Sequence, residues 1–216
     1  MKNLTLIICM SIGVNLYNQT NGESTKFKID GNIKNEVEEN ISESEFGDQL
    51  NDDIFLIYDT PIIADYYEND SLVNSTKNDK QLMLFKSFYY SFNDTLTIDG
   101  FYGLFGGFGF SIKFIENKPI VYHMLASDEF PTYSMTQNGK LELRIEVPCN
   151  NTMLTLSKVP NLKEEEILYG KVEFESEEYY QRGVTINGKE VEERKKINMN
   201  MKIYFKSKFL NLEKLK

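Results

Sequence analysis

The chain predicts a mainly β protein, an antiparallel β-sandwich or, as the alternative, a closed β-barrel. Three observations carry this. Phe and Tyr number 15 and 13 with no Trp, an aromatic share of 13% that suits pleated surfaces. Apolar and polar residues alternate in about eight to ten short runs separated by turn residues. No long amphipathic stretch at helical period interrupts them. With 216 residues, of which 41% are hydrophobic and 26% charged, one domain with one core is the expectation.

Along the chain, Met1-Lys2-Asn3 precedes an apolar run from Leu4 to Val14, after which Asn15 to Gly22 is polar. That is the profile of a signal peptide over residues 1–22. The run falls short of the roughly 20 apolar residues a bilayer span requires, and no later segment reaches that length. Export to the periplasm, the cell envelope or the medium is the expected localisation. A lipid anchor at Cys9 is not expected, because Ile8 is bulky where such a site requires a small residue, and the apolar run continues beyond the cysteine. Residues 23–53 are acidic and polar with scattered apolar positions, and read as a linker holding at most a short strand at Phe27 to Ile33 or a short helix near Asn35 to Glu45.

The β domain spans 54–216. Ile54 to Tyr58 opens it as a buried strand, Glu68 to Lys80 is a polar loop, and Leu82 to Phe92 is a strand that Asn93-Asp94 turns. Phe108 to Ile115 and Pro119 to Leu125 form a hairpin around Glu116-Asn117-Lys118. Leu141 to Val147 alternates strictly, and Pro148 to Asn151 is read as a turn leading into Thr152 to Leu156, with Cys149 near its tip. Leu168 to Glu177 alternates again, and Asn187-Gly188 centres a small projecting hairpin. In the last strand Ile197, Met199, Met201, Ile203 and Phe205 share a face that points into the core.

Several chemistries are poorly provided for. The 33 acidic against 24 basic residues give a net charge of -9, which repels phosphate polyanions, so nucleic acid is not an expected partner. His123 is the single histidine, and Cys149 is the one thiol remaining after removal of the leader; they lie on separate predicted elements, so no catalytic pair is assigned. One histidine and one mature cysteine are too few ligands for a zinc site, and Asn51-Asp52-Asp53 lacks the ligand spacing of a calcium loop, so no metal is expected. The glycines between 100 and 109 match no phosphate-loop spacing, and no cofactor is assigned.

Those glycines alternate with aromatics through Gly100-Phe101-Tyr102-Gly103-Leu104-Phe105-Gly106-Gly107-Phe108-Gly109-Phe110. They predict a bent strand with close backbone approach. The accompanying Phe101, Tyr102, Phe105 and Phe108 are the candidate ligand-binding residues, forming an apolar rim. The expected function is that of an exported, non-enzymatic binding or interaction protein whose partner is a protein or a small apolar ligand. Two alternatives are a lipocalin-like carrier enclosing an apolar small molecule and a hydrolase using dispersed carboxylates.

Overall fold

A computed structural model of the chain describes residues 25–42, 63–75, 85–103, 106–162, 166–187 and 189–212. The signal segment with Cys9, the predicted strand Ile54 to Tyr58, the boundary near residue 53 and Phe105 lie outside the described residues. In chain order the elements are β1 (Lys26–Ile29), α1 (Ile33–Ser42), β2 (Ile63–Glu68), β3 (Ser71–Ser75), β4 (Phe85–Phe92), β5 (Thr95–Tyr102), β6 (Gly107–Ile115) and β7 (Lys118–Ala126). They continue with β8 (Tyr133–Ser134), β9 (Arg144–Leu156), β10 (Leu168–Ser176), β11 (Tyr179–Gln181), β12 (Thr185–Ile186), β13 (Lys189–Glu190) and β14 (Lys195–Phe209). Twelve strands share one large sheet, and β12 and β13 form a separate pair. Among the described residues no helix is long and apolar enough to cross a membrane.

The protein is mainly β, as its alternation predicts, but the sheet is mixed rather than purely antiparallel. β1 runs parallel to β9, and the last residues of β14, Lys208 and Phe209, pair in parallel with Phe88 and Tyr89 of β4. Both parallel pairs join strands far apart in sequence. Local turns impose antiparallel neighbours, whereas long connections leave direction to packing.

Turn chemistry sets the hairpins. Asn93-Asp94 between β4 and β5, and Glu116-Asn117 between β6 and β7, have both residues at positive φ, the backbone that matches the right-handed twist of the flanking strands. Asn69-Asp70 does the same at 48° and 65°, so the segment read as a polar loop over Glu68 to Lys80 contains the β2–β3 turn and the strand β3. A second reading changes at Pro148 to Asn151, which is not a turn. β9 runs unbroken from Arg144 to Leu156: its first half pairs with β7, its second with β10. Asn151 takes a φ of 49° where the register with β10 shifts between Glu173 and Glu175. A bulge there bends the strand from one neighbour to the next, so Cys149 lies within a strand and not at a hairpin tip.

The core forms where inward faces meet. Tyr89, Ile98, Phe110, Ile112, Leu154 and Phe205 are among its fully buried members, and the rings of Phe110 and Phe205 lie 4.9 Å apart. The five predicted positions of β14, Ile197 through Phe205, are all buried. A Cβ on Gly170 would overlap the Phe205 ring, so the glycine of β10 provides the slot that this ring fills. Leu143 departs from the alternating strand read over Leu141 to Val147: β9 begins only at Arg144, and Leu143 is 47% exposed.

Within the segment read as a linker, both of the short elements it allowed are present together. β1 adds to the edge of β9, and Asp30 accepts the Asn32 amide at the start of α1. Ile33 and Val37, one helical turn apart, are buried on the outer face of the β10–β14 sheet against Tyr204 and Tyr169. The Tyr204 hydroxyl donates to Glu36 at 2.8 Å, and Tyr169 donates to Glu38 at 3.0 Å. Burial, together with the latter carboxylate, pushes the Tyr169 phenol up to about 12. Val37→Ala removes two buried methyl-sized groups and is expected to cost about 1.5–2 kcal/mol. Chemical denaturation reads this; an unchanged midpoint would mean that α1 is not docked in solution.

Candidate functional site

The glycine-rich segment divides between the two faces of the sheet. Tyr102 and Phe108 are cross-strand partners pointing inward, half-buried, with ring centroids 5.1 Å apart, and both pack against the core. Phe101 points the opposite way, facing Gly109 across the ladder, and is also half-buried. Alternation therefore parts Phe101 from Tyr102 and Phe108, because neighbours along a strand take opposite faces. The glycines are a backbone requirement. A Cβ on Gly109 would collide with the Gly100 carbonyl oxygen, and one on Gly107, at φ 150°, with the Tyr102 carbonyl oxygen. Gly109→Ala is expected to cost about 2 kcal/mol through the backbone shift it forces, read by thermal unfolding. A loss under about 0.5 kcal/mol would show that the strands do not approach this closely.

The outward face around Phe101 holds a chemically distinct cluster. Tyr89, Ile98, Ile112 and Val121 form an inward row across β4 to β7, so the row beside it, Phe88, Asp99, Ser111 and Tyr122, faces outward. An outward row would ordinarily be polar and solvated. Here Asp99 is 8% exposed and Ser111 1%, while Phe88, Tyr90, Phe101 and Tyr122 are half-buried around them. The Tyr90 hydroxyl donates to Asp99 Oδ2 at 3.0 Å, whereas Oδ1 has no hydrogen-bond partner among the described residues. Burial raises the Asp99 carboxyl above the usual carboxylate range, against the opposing pull of the Ser111 and Tyr90 hydroxyls. Burial and the adjacent carboxylate likewise push the Tyr90 phenol well up.

Charge flanks this row on the β7–β9 side. Lys113 pairs with Glu146 and lies 4.9 Å from the centre of the Tyr122 ring, a cation–π distance. Arg144 Nη2 sits 3.2 Å from the Met124 sulfur. The arrangement offers aromatic faces for stacking, hydroxyls able to donate or accept, and a recessed carboxyl with one enclosed oxygen that has no hydrogen-bond partner among the described residues. Of these residues only Phe101 was singled out by sequence. The available signal was Asp99 itself, a residue depleted in strands, in the middle of Leu96-Thr97-Ile98-Asp99-Gly100.

Beneath the same strands, His123 is fully buried. Its Nδ1–H donates to the Gly109 carbonyl at 3.0 Å, Nε2 has no partner among the described residues, and Phe108, Phe174 and Tyr179 surround the ring. Burial lowers its pKa to about 4, so the imidazole is neutral at pH 7. Cys149 packs against this core, and burial holds its thiol well above the usual range, opposed by a contact with the His123 backbone. The thiol is therefore a poor source of thiolate. Among the described residues no three His, Cys, Asp or Glu side chains converge as metal ligands. Comparison with protein-family models, with curated proteins and with solved structures found no match to this chain.

Proposed function

We propose that the chain is an exported, non-enzymatic binding protein whose contact surface is the outer face of β4 to β7. One observation carries the reading: Phe88, Tyr90, Phe101 and Tyr122 line the outward side of a sheet around the recessed carboxyl of Asp99. Partly exposed aromatics beside a few fixed polar groups are the usual composition of a recognition surface. In this reading the folded sheet is a sandwich, with inner faces joined by contacts such as Phe110 on Phe205. The inward side chains of these strands form one buried cluster, which supports a packed core over a lipocalin-like carrier. The hydrolase alternative is weakened because Glu146, the acidic side chain on the flank of the cluster, is neutralised by Lys113. Export rests on the Met1 to Val14 pattern.

Site-specific photocrosslinking tests the surface. A photoreactive phenylalanine analogue at Phe101, illuminated in the exported fraction of the producing cells, should yield a discrete adduct whose mass distinguishes a protein partner from a small ligand. The same analogue at Leu72 of β3, which is 56% exposed and lies on another strand pair, should yield none. Equal labelling at both positions, or no adduct at Phe101, overturns the assignment. Recovery of the intact Met1 terminus from the cytoplasm overturns export.

A further inference from the structure

Away from that face, where Phe130 and Thr132 meet the segment after β11, an open cleft of about 540 Å³ is lined by Phe130, Thr132, Arg182, Gly183 and Thr185. Its size lies within the range of small-molecule sites. The polar groups of its wall are nearly all engaged within the chain. The Arg182 amide donates to the Thr132 carbonyl, the Thr132 hydroxyl to the Phe130 carbonyl, and the Gly183 amide to Glu190. The Thr185 hydroxyl lies 3.5 Å from the Gly183 carbonyl.

Arg182 is the exception. Among the described residues its side chain enters no ion pair, and Nε, enclosed from solvent, has no acceptor. Glu190, whose carboxyl Arg182 helps to hold below its usual range, is instead bound by Arg194, with Nη2 to Oε2 at 3.0 Å. Arg194 also donates from Nη1 to the Gly139 carbonyl at 2.7 Å, so that guanidinium is committed. In a chain with 33 acidic and 24 basic residues, carboxylates are in excess, and an arginine in a ligand-sized cleft whose neighbouring carboxylate, Glu190, is bound by another arginine requires a reason. A guanidinium with no acceptor among the described residues is left to seek one from outside, and a carboxylate or phosphate oxygen is its strongest partner. Beside it, the 54% exposed ring of Phe130 supplies an apolar wall. The smaller cleft, about 270 Å³ and bordered by Glu173, Asn200 and Lys202, differs in that its charges meet each other, Lys202 lying 3.9 Å from Glu173.

We infer that the Phe130–Arg182 cleft binds a small amphiphilic anion, its carboxylate or phosphate head on Arg182 and its apolar body against Phe130. Calorimetric titration of the mature protein with octanoate, octyl phosphate, 1-octanol and octylammonium tests this. At least one of the two anions should bind ten or more times tighter than the alcohol, and the tighter of them identifies the head group; octylammonium should not bind. Arg182→Gln should lower anion affinity at least tenfold, Arg182→Lys less, and Phe130→Ala should weaken the anions while leaving the thermal midpoint in place. Equal affinity for octanol and both anions, or no binding of either anion, overturns the inference. So does undiminished anion binding by folded Arg182→Gln. Should Arg182→Gln fail to fold, undiminished anion binding by Phe130→Ala overturns it instead.

Discussion

Ile203→Asp is expected to remove most of the stability of the protein, at about 5 kcal/mol or more. Ile203 is fully buried at the centre of β14, opposite Val172 of β10 and within the hydrophobic core cluster. The change forfeits about 2–3 kcal/mol of apolar burial and adds the cost of enclosing an unpaired charge, against a typical total stability of about 5–15 kcal/mol. Lys202→Asp, one residue earlier, should cost under about 1 kcal/mol. Lys202 faces outward, 3.9 Å from Glu173 and 5.5 Å from the Tyr204 ring centre, so the substitution exchanges a weak attraction for a weak repulsion. Urea midpoints separate the two. Equal losses would mean that β14 is as tightly enclosed outside as inside.

Acidification should destabilise the protein by about 3 kcal/mol through His123 alone. An unfolded histidine titrates near pH 6.5, whereas in the fold burial lowers His123 to about 4. Between those values the unfolded chain binds the proton and the native chain does not, so stability present above about pH 6.5 falls by roughly 1.4 kcal/mol per pH unit until the pH reaches about 4. Asp99 works in the opposite direction. Its carboxyl is raised in the fold, so native protein takes up a proton first as pH falls, adding stability until the unfolded aspartate also protonates. Comparison with His123→Leu separates the two. Urea unfolding at pH 7.5 and 4.5 should show the wild type losing about 2.5–3 kcal/mol more than the variant. Parallel losses would mean that the imidazole is protonated within the fold or hydrated there.

Hairpins were legible wherever local chemistry is sufficient. Asn93-Asp94 and Glu116-Asn117 are turns because Asn and Asp accept positive φ, Glu116 being carried into it beside Asn117, and the flanking runs alternate. The core face of β14 was legible because a period of two has only one inward set, and Ile197 to Phe205 fill it. Asn69-Asp70 carried the same turn signal, but the scarcity of apolar residues around Ser71 to Ser75 concealed an edge strand that has little core to face, with Leu72 and Val73 more than half exposed.

The candidate site was less legible. Phe101, Tyr102 and Phe108 look alike in a list of residues, yet strand parity puts only Phe101 beside Asp99, while the partners of Asp99, Phe88 and Tyr90 on β4 and Ser111 on β6, lie on two other strands. His123 and Cys149 approach each other because the β7–β9 ladder sets His123 opposite Val147, two residues before the thiol, and that pairing joins segments which the sequence alone does not show to be neighbours.

From its residues alone this protein was bound to be a sheet-forming chain with two-residue hairpins and an apolar inner face over Ile197 to Phe205 of its last strand, because turn propensity and side-chain alternation act over a few residues. Tertiary structure decided what those local rules leave open. It set the parallel pairings of β1 with β9 and of β4 with β14, the docking of α1 over Tyr204, the recess that holds Asp99 and the enclosed Nε of Arg182, which has no acceptor among the described residues. Each depends on which distant segments meet, and that is governed by the burial and pairing of the whole chain rather than by any short stretch of it.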